Sequence, residues 1–204
     1  MNRAIYTIGR QYGSGGRQVG KFIAEKLGIP FYDKKILEEA ARQSGIDISH
    51  FEEDDEKKTH RQSLLQSIYF GIYGNQNVPA VHQVILAEFK AIRELAQRGP
   101  CVFIGHCANY VLRNRQNVIS VFVTASIDAR SKRAIEEYGD AKENIVNLLR
   151  KIDRERADYY HYYADRTWSA ADTYDLTVST DRMSLEEAAE MIIEAAKTMR
   201  YKEG

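Results

Sequence analysis

Cysteine is nearly missing from this chain: Cys101 and Cys107 are the only two in 204 residues. That excludes a disulfide scaffold and makes a reducing, cytoplasmic setting the expectation. An excess of one charge is missing too, because 29 Lys and Arg stand against 29 Asp and Glu. Bulk binding of a polyanion needs a basic surplus, so nucleic acid is not an expected partner. No apolar run approaches the roughly 18 residues of a spanning helix, and Met1 to Gly9 lacks the long apolar stretch of a secretory signal. A membrane is therefore not expected as a partner either. Internal repeats and low-complexity linkers are absent, and the acidic run Glu52 to Glu56 reads as a solvated loop.

What is present suffices for a folded unit. With 44% apolar and 28% charged residues, the chain can bury a sizeable core, and its length suits a single domain over residues 1–204. Short β-type runs alternate with amphipathic stretches. Residues 4–8 read as a strand, and Val19, Phe22, Ile23 and Leu27 follow at helical spacing until Gly28 and Pro30 stop the helix. Phe31-Tyr32 reads as a second strand, leading to a helix over about 34–44. Residues 101–104, 118–123 and 176–179 supply three more strands, all apolar enough to be buried on both faces. The fold class predicted is α/β, a doubly wound parallel five-stranded sheet. Residues 47–98 break the pattern and read as a helical insertion split near Gly74 to Pro79. The last helix opens at Ser184 with a capping box to Glu187 and lays Leu185, Ala188, Ala189, Ile192, Ile193 and Met199 on one face.

The most informative segment runs from Gly9 to Arg17, between the first strand and the first helix. Gly13, Gly15 and Gly16 crowd its end. Glycine permits positive φ and keeps side chains clear, so backbone amides here can converge on a phosphate, helped by the N-terminal dipole of the helix. A glycine-rich turn with no ligand is the alternative. The standard phosphate loop ends in lysine and then serine or threonine. Here Gly16 stands at the lysine position and Arg17 follows, which leaves Arg10, Arg17 or Lys21 to supply charge. A dinucleotide loop is the rival, since Asp33 lies 20 residues beyond Gly13 at the distance of a ribose-binding acid. Gln18, where that fingerprint needs its third glycine, counts against it.

Between Asn144 and Tyr163 one helical stripe carries Ile145, Leu148, Leu149, Ile152, Arg156, Tyr159 and Tyr163. Arg156 either pairs with the flanking Asp153 or reaches a cleft and meets phosphate oxygens. Arg150 lies further round the helix. Arg130, Lys132 and Arg133 crowd the start of the preceding helix, against its dipole, where an anion would relieve them. Tyr159 to Tyr163 and Trp168 could stack on a base or simply pack. His106 and Asn109 follow the third strand at the carboxyl edge of the sheet, where open α/β domains bind ligands. Cys101, His106 and Cys107 alone make no metal site.

Taken together, Arg10 to Arg17, Ile29 to Lys34, Ile104-Gly105 with Ala108-Asn109, Asp153 to Tyr160 and Tyr174 to Leu176 resemble the cytidylate-kinase-like family of phosphate-loop kinases. The resemblance implies a nucleoside monophosphate kinase-like core, a substrate-binding helical insertion at 47–98, an arginine-rich lid at 150–170, and ATP with Mg²⁺. Under it, Gly13, Ser14, Gly15, Gly16, Arg17 and Arg130 would bind nucleotide. Arg17, Arg133, Arg150 and Arg156 would stabilise the transferring phosphoryl group. Asp33, His106, Asn109 and Asp153 would face a small nucleotide acceptor, CMP or dCMP. Two departures stand out: the loop lysine is absent, and His106 occupies a position that is arginine in cytidylate kinases. A non-catalytic nucleotide or phosphometabolite sensor is the alternative reading, an NAD-binding dehydrogenase a further one. A homodimer is open.

Overall fold

A computed structural model describes residues 4–33 and 78–199. The helix expected over 34–44 and most of the expected insertion lie outside the described residues. The elements are β1 (Ile5–Arg10), α1 (Gly16–Leu27), β2 (Phe31–Tyr32), α2 (Val78–Gln97), β3 (Val102–Ile104), α3 (Ala108–Val111), β4 (Val118–Thr124), α4 (Ile127–Glu136), α5 (Ile145–Ala164), a 3₁₀ turn (Ala171–Thr173), β5 (Leu176–Ser179) and α6 (Leu185–Thr198). All the strands pair in parallel, in the order β2-β3-β1-β4-β5. β1 runs two residues beyond the expected strand, to Arg10, because Gly9 and Arg10 still pair with Phe122 and Val123 of β4.

The strands are apolar on both sides because helices cover both sides. Tyr6, Ile8, Val102, Ile104, Val121 and Val123 point to one face, where Val19 and Ile23 of α1 and Ile192 of α6 pack on them. Ile5, Phe103 and Phe122 point to the other, under Ile85, Phe89 and Ile92 of α2 and Tyr160 of α5. α6 starts at the capping box read from the sequence, with Ser184 Oγ accepting from the Glu187 N–H and Glu187 Oε2 accepting from the Ser184 N–H. Gly20 lets α1 sit directly on the sheet, since a Cβ there would overlap Ile104 Cδ1. A third, smaller cluster, Ala134, Ile145 and Leu149, joins α4 to the start of α5. The part of 150–170 expected as a lid is the remainder of α5 and a turn whose Trp168 is buried edge-on against Phe122. Cys101 and Cys107 are both free and buried.

Candidate functional site

The loop after β1 turns through two left-handed glycines, Gly13 at φ 77° and Gly15 at φ 78°. Gly13 could carry no side chain, because a Cβ would stand 2.5 Å from the Arg130 carbonyl oxygen. Gly15 is the N-cap of α1 and bonds its carbonyl to the Val19 N–H, so the helix begins where the loop ends. This is the geometry that presents successive N–H groups to an anion.

Behind the loop lies a brace of charges. Asp153 accepts from the Tyr12 N–H at 2.8 Å and pairs with the buried Arg130. Arg133 donates to the Gly13 carbonyl at 2.7 Å. The basic start of α4 is thus balanced by Asp153 and by loop carbonyls. Burial pushes the Asp153 carboxyl above the ordinary aspartate range, against the pull of the Tyr12 N–H and Arg130. Asp153→Asn is expected to weaken folding by about 1 kcal/mol through the lost charge-assisted bonds; urea unfolding measures it, and an unchanged midpoint would remove the brace.

Three candidates could have supplied the missing loop cation, and tertiary contacts separate them. Arg17 is half-exposed and donates from Nε to Asp33 Oδ2 at 2.6 Å. Lys21 is exposed and pairs with Glu25 one turn on. Arg10 is 7% exposed and folds over the loop, so that a Cβ on Gly16 would lie 2.5 Å from its Cβ and 3.1 Å from its Cγ. Arg156 comes from α5 to meet it, donating to the Arg10 carbonyl at 2.9 Å. Among the described residues neither guanidinium has a carboxylate at ion-pair distance, unlike Arg17 and Arg130. Burial and the neighbouring Arg156 charge lower Arg10 to about 9, and burial lowers Arg156 as well. The buried Arg10 and the part-buried Arg156, with no anion at ion-pair distance among the described residues, make a site that an external anion would relax.

A pocket opens beside them, lined among others by Gly9, Arg10, Glu88, His106, Asn109 and Arg156. Aromatic walls close it: Tyr159, Tyr160, Trp168 and Tyr174. Asn109 Nδ2 donates to Tyr160 Oη at 2.8 Å. His106 is buried, and its Nδ1 lies 3.4 Å from Oε1 of the fully buried Glu88. Of the residues singled out in the sequence, Arg10, His106, Asn109, Arg156, Tyr159, Tyr160 and Trp168 line the pocket. Gly13 to Arg17 form the loop, while Arg130, Arg133 and Asp153 brace it from behind. Asp33 is engaged by Arg17, and Arg150 is exposed.

Glu88 is absent from the sequence-based candidates, although a signal existed. It lies on the same face of α2 as the buried Ile85, Phe89 and Ile92, where a carboxylate is out of place without a task or a partner. Residues 5–182 match the cytidylate kinase-like family.

The chain belongs to that family. No curated protein matches it in sequence. Among solved structures, it is similar to an uncharacterised protein from Eubacterium ventriosum, at 26% identity and a TM-score of 0.73, over 96% of this chain and 99% of that one. The shikimate kinase of Acinetobacter baumannii, in complex with shikimate, shares the fold at 19% identity and a TM-score of 0.53, over 96% and 93% of the two chains. That of Bacteroides thetaiotaomicron does so at 15% and 0.54, over 95% and 98%. The architecture is that of the phosphate-loop kinases, and Asp33, the acid at the distance of a ribose-binding residue, bonds Arg17. Among the described residues no helix is long and apolar enough to cross a membrane.

Proposed function

We propose that this member of the cytidylate kinase-like family is a nucleotide-dependent phosphotransferase, moving the γ-phosphoryl group of ATP to a small phosphorylated acceptor, with CMP and dCMP the acceptors its family suggests. One observation carries the reading. Arg10 lies across Gly16, at the position where phosphate loops carry lysine, and Arg156 adjoins it with no carboxylate at ion-pair distance among the described residues. Phosphoryl transfer depends on positioning and charge neutralisation, so a guanidinium arriving from the strand end can stand in for an ammonium arriving from the helix.

The loop amides from Gly13 to Arg17 would hold the triphosphate, and Arg10 and Arg156 would face the transferring group. Asn109 and the aromatic walls would shape the acceptor side, and Arg130, Arg133 and Asp153 would keep the loop in register. Among the described residues no cluster of three acidic, His or Cys side chains could hold a metal alone. The residues fit Mg²⁺ carried in on the phosphates, with Asp33 as the oxygen donor beside the loop. When bound, Mg²⁺ would neutralise phosphate charge.

The experiment is ADP release from Mg·ATP with each nucleoside monophosphate, run beside thermal shifts for ATP, CMP and NAD. Stabilisation by ATP with acceptor-dependent ADP release supports the kinase. Stabilisation by ATP with no turnover makes the protein a sensor. A shift with NAD alone overturns both. Arg156→Ala is expected to cut turnover tenfold or more, about 1.4 kcal/mol of barrier, with an unchanged circular dichroism spectrum. A full rate in that variant would take Arg156 out of the chemistry.

A further inference from the structure

Glu88 and His106 stand apart from the phosphate machinery, yet line the same pocket. Neither is an obvious stabiliser. Glu88 is wholly buried in α2, accepting from Tyr159 Oη at 3.3 Å through Oε2, while among the described residues Oε1 meets only His106 Nδ1, at 3.4 Å. A buried carboxylate held by two long contacts is destabilising unless it has work to do. His106 sits in a left-handed conformation, φ 54°, between Gly105 at 71° and Cys107 at 53°. That turn seats its Nδ1 against Glu88 at 3.4 Å. With the carboxylate on Nδ1, Nε2 is the nitrogen left to exchange a proton.

From this dyad we infer that the acceptor reacts through a hydroxyl oxygen, with Nε2 of His106 as its general base and Glu88 as the residue that positions the imidazole. The inference rests on the phosphotransferase reading and names the reacting atom. A phosphate acceptor is already ionised near neutral pH, needs no base, and would be repelled by a carboxylate beside it. An alcohol must lose its proton as the new bond forms, and a positioned imidazole is worth roughly 10²–10⁴-fold for such a transfer. In the step, the O–H proton passes to Nε2 and the alcohol oxygen bonds the γ-phosphorus. The bond from that phosphorus to the β,γ-bridging oxygen breaks, and its electron pair leaves with ADP. The proton then returns to solvent.

Electrostatics agrees with the geometry. Burial alone would pull the His106 imidazole down, but the Glu88 carboxylate, aided by Asp33 and opposed by Arg10, turns the net shift upward. These are the charged groups facing it, together with the neutral Tyr159 and Cys107 around Glu88. Asp33 is the other carboxylate near the loop; it is taken up by Arg17 and does not line the pocket.

The test uses the full chain and Mg·ATP, with water, small hydroxy acids, cytidine and CMP as acceptors. Products are separated into phosphate esters and diphosphates. Expected are slow ADP release with water, since a poised base serves water too, and faster release with a hydroxyl compound, giving an ester. His106→Gln should lower kcat at least tenfold for both while leaving KM for ATP unchanged. Glu88→Gln should move the acidic limb of the kcat–pH profile to lower pH, because without the carboxylate the imidazole loses its proton sooner. A purely structural role would not move that limb. Stabilisation of each variant by ATP shows that it has folded. A full kcat in His106→Gln or a diphosphate as the main product overturns the inference, whereas ATP binding with no ADP release from any acceptor overturns the phosphotransferase reading. Loss of ATP-induced stabilisation in the wild type overturns that reading too.

Discussion

Arg10→Met is expected to lower ADP release from Mg·ATP by about 10²–10³-fold while the chain still folds. Methionine keeps much of the length and apolar bulk of the arginine stem, so it still covers Gly16, but it carries no charge for a γ-phosphate. The same residue predicts a pH dependence. Burial and Arg156 bring Arg10 to about 9, so its cation is present below that value and is lost as pH rises through it. ATP affinity should fall across that window in the wild type and stay flat in Arg10→Met. Folding stability has the opposite sign, because between the folded value and the ordinary arginine range the unfolded chain binds the extra proton. Calorimetric titration of ATP at several pH values checks the affinity, and urea unfolding at the same pH values checks the stability. An ATP affinity in Arg10→Met equal to the wild type's would show that another group carries the loop's charge.

Restoring the usual lysine should harm the protein. A Cβ on Gly16 would stand 2.5 Å from Arg10 Cβ and 3.0 Å from Val123 Cβ, so Gly16→Lys forces the strand end and the helix start apart. The expected loss is about 1–3 kcal/mol, the range for overpacking a filled site, read as a lower urea midpoint. Arg10→Gly alone empties the loop of its cation. Combined with Gly16→Lys, it removes the nearer obstruction and puts a positive charge back from the helix side. The double variant should recover part of both stability and turnover. Stability unchanged in Gly16→Lys would mean that the two side chains do not compete for one space.

Much of the architecture was legible because periodicity reports burial. The strands after residue 100 appear within a residue of their expected limits, and the capping box and face of α6 are as read except at Met199, which is the extended C-cap beyond Thr198. The stripe from Ile145 to Tyr163 is one helix, with Arg156 on its inward side. The loop was visible as glycine spacing, but its cation was not. Arg10, Arg17 and Lys21 look equivalent along the chain, and only the partners Asp33 and Glu25, set against Gly16 beneath Arg10, tell them apart. Asp153 read equally as an acceptor contact or an ion-pair partner, and the structure places it beneath the loop, on Arg130. Glu88 gave the opposite difficulty. Its spacing put it with apolar neighbours, but its relation to His106, which lies 18 positions on, depends on how α2 crosses the end of β3.

The left-handed turn at Gly105, His106 and Cys107 also bears on how this protein would change under selection. A residue with a side chain costs roughly 1–2 kcal/mol in that conformation, and Glu88 adds a fully buried carboxylate nearby. Populations selected only for heat resistance would gain by placing glycine at position 106 and an apolar residue at position 88. The pocket would then erode from its dyad outward while the loop and sheet stayed intact. A lineage that keeps both residues at high temperature would be recording a demand on the chemistry rather than on the fold.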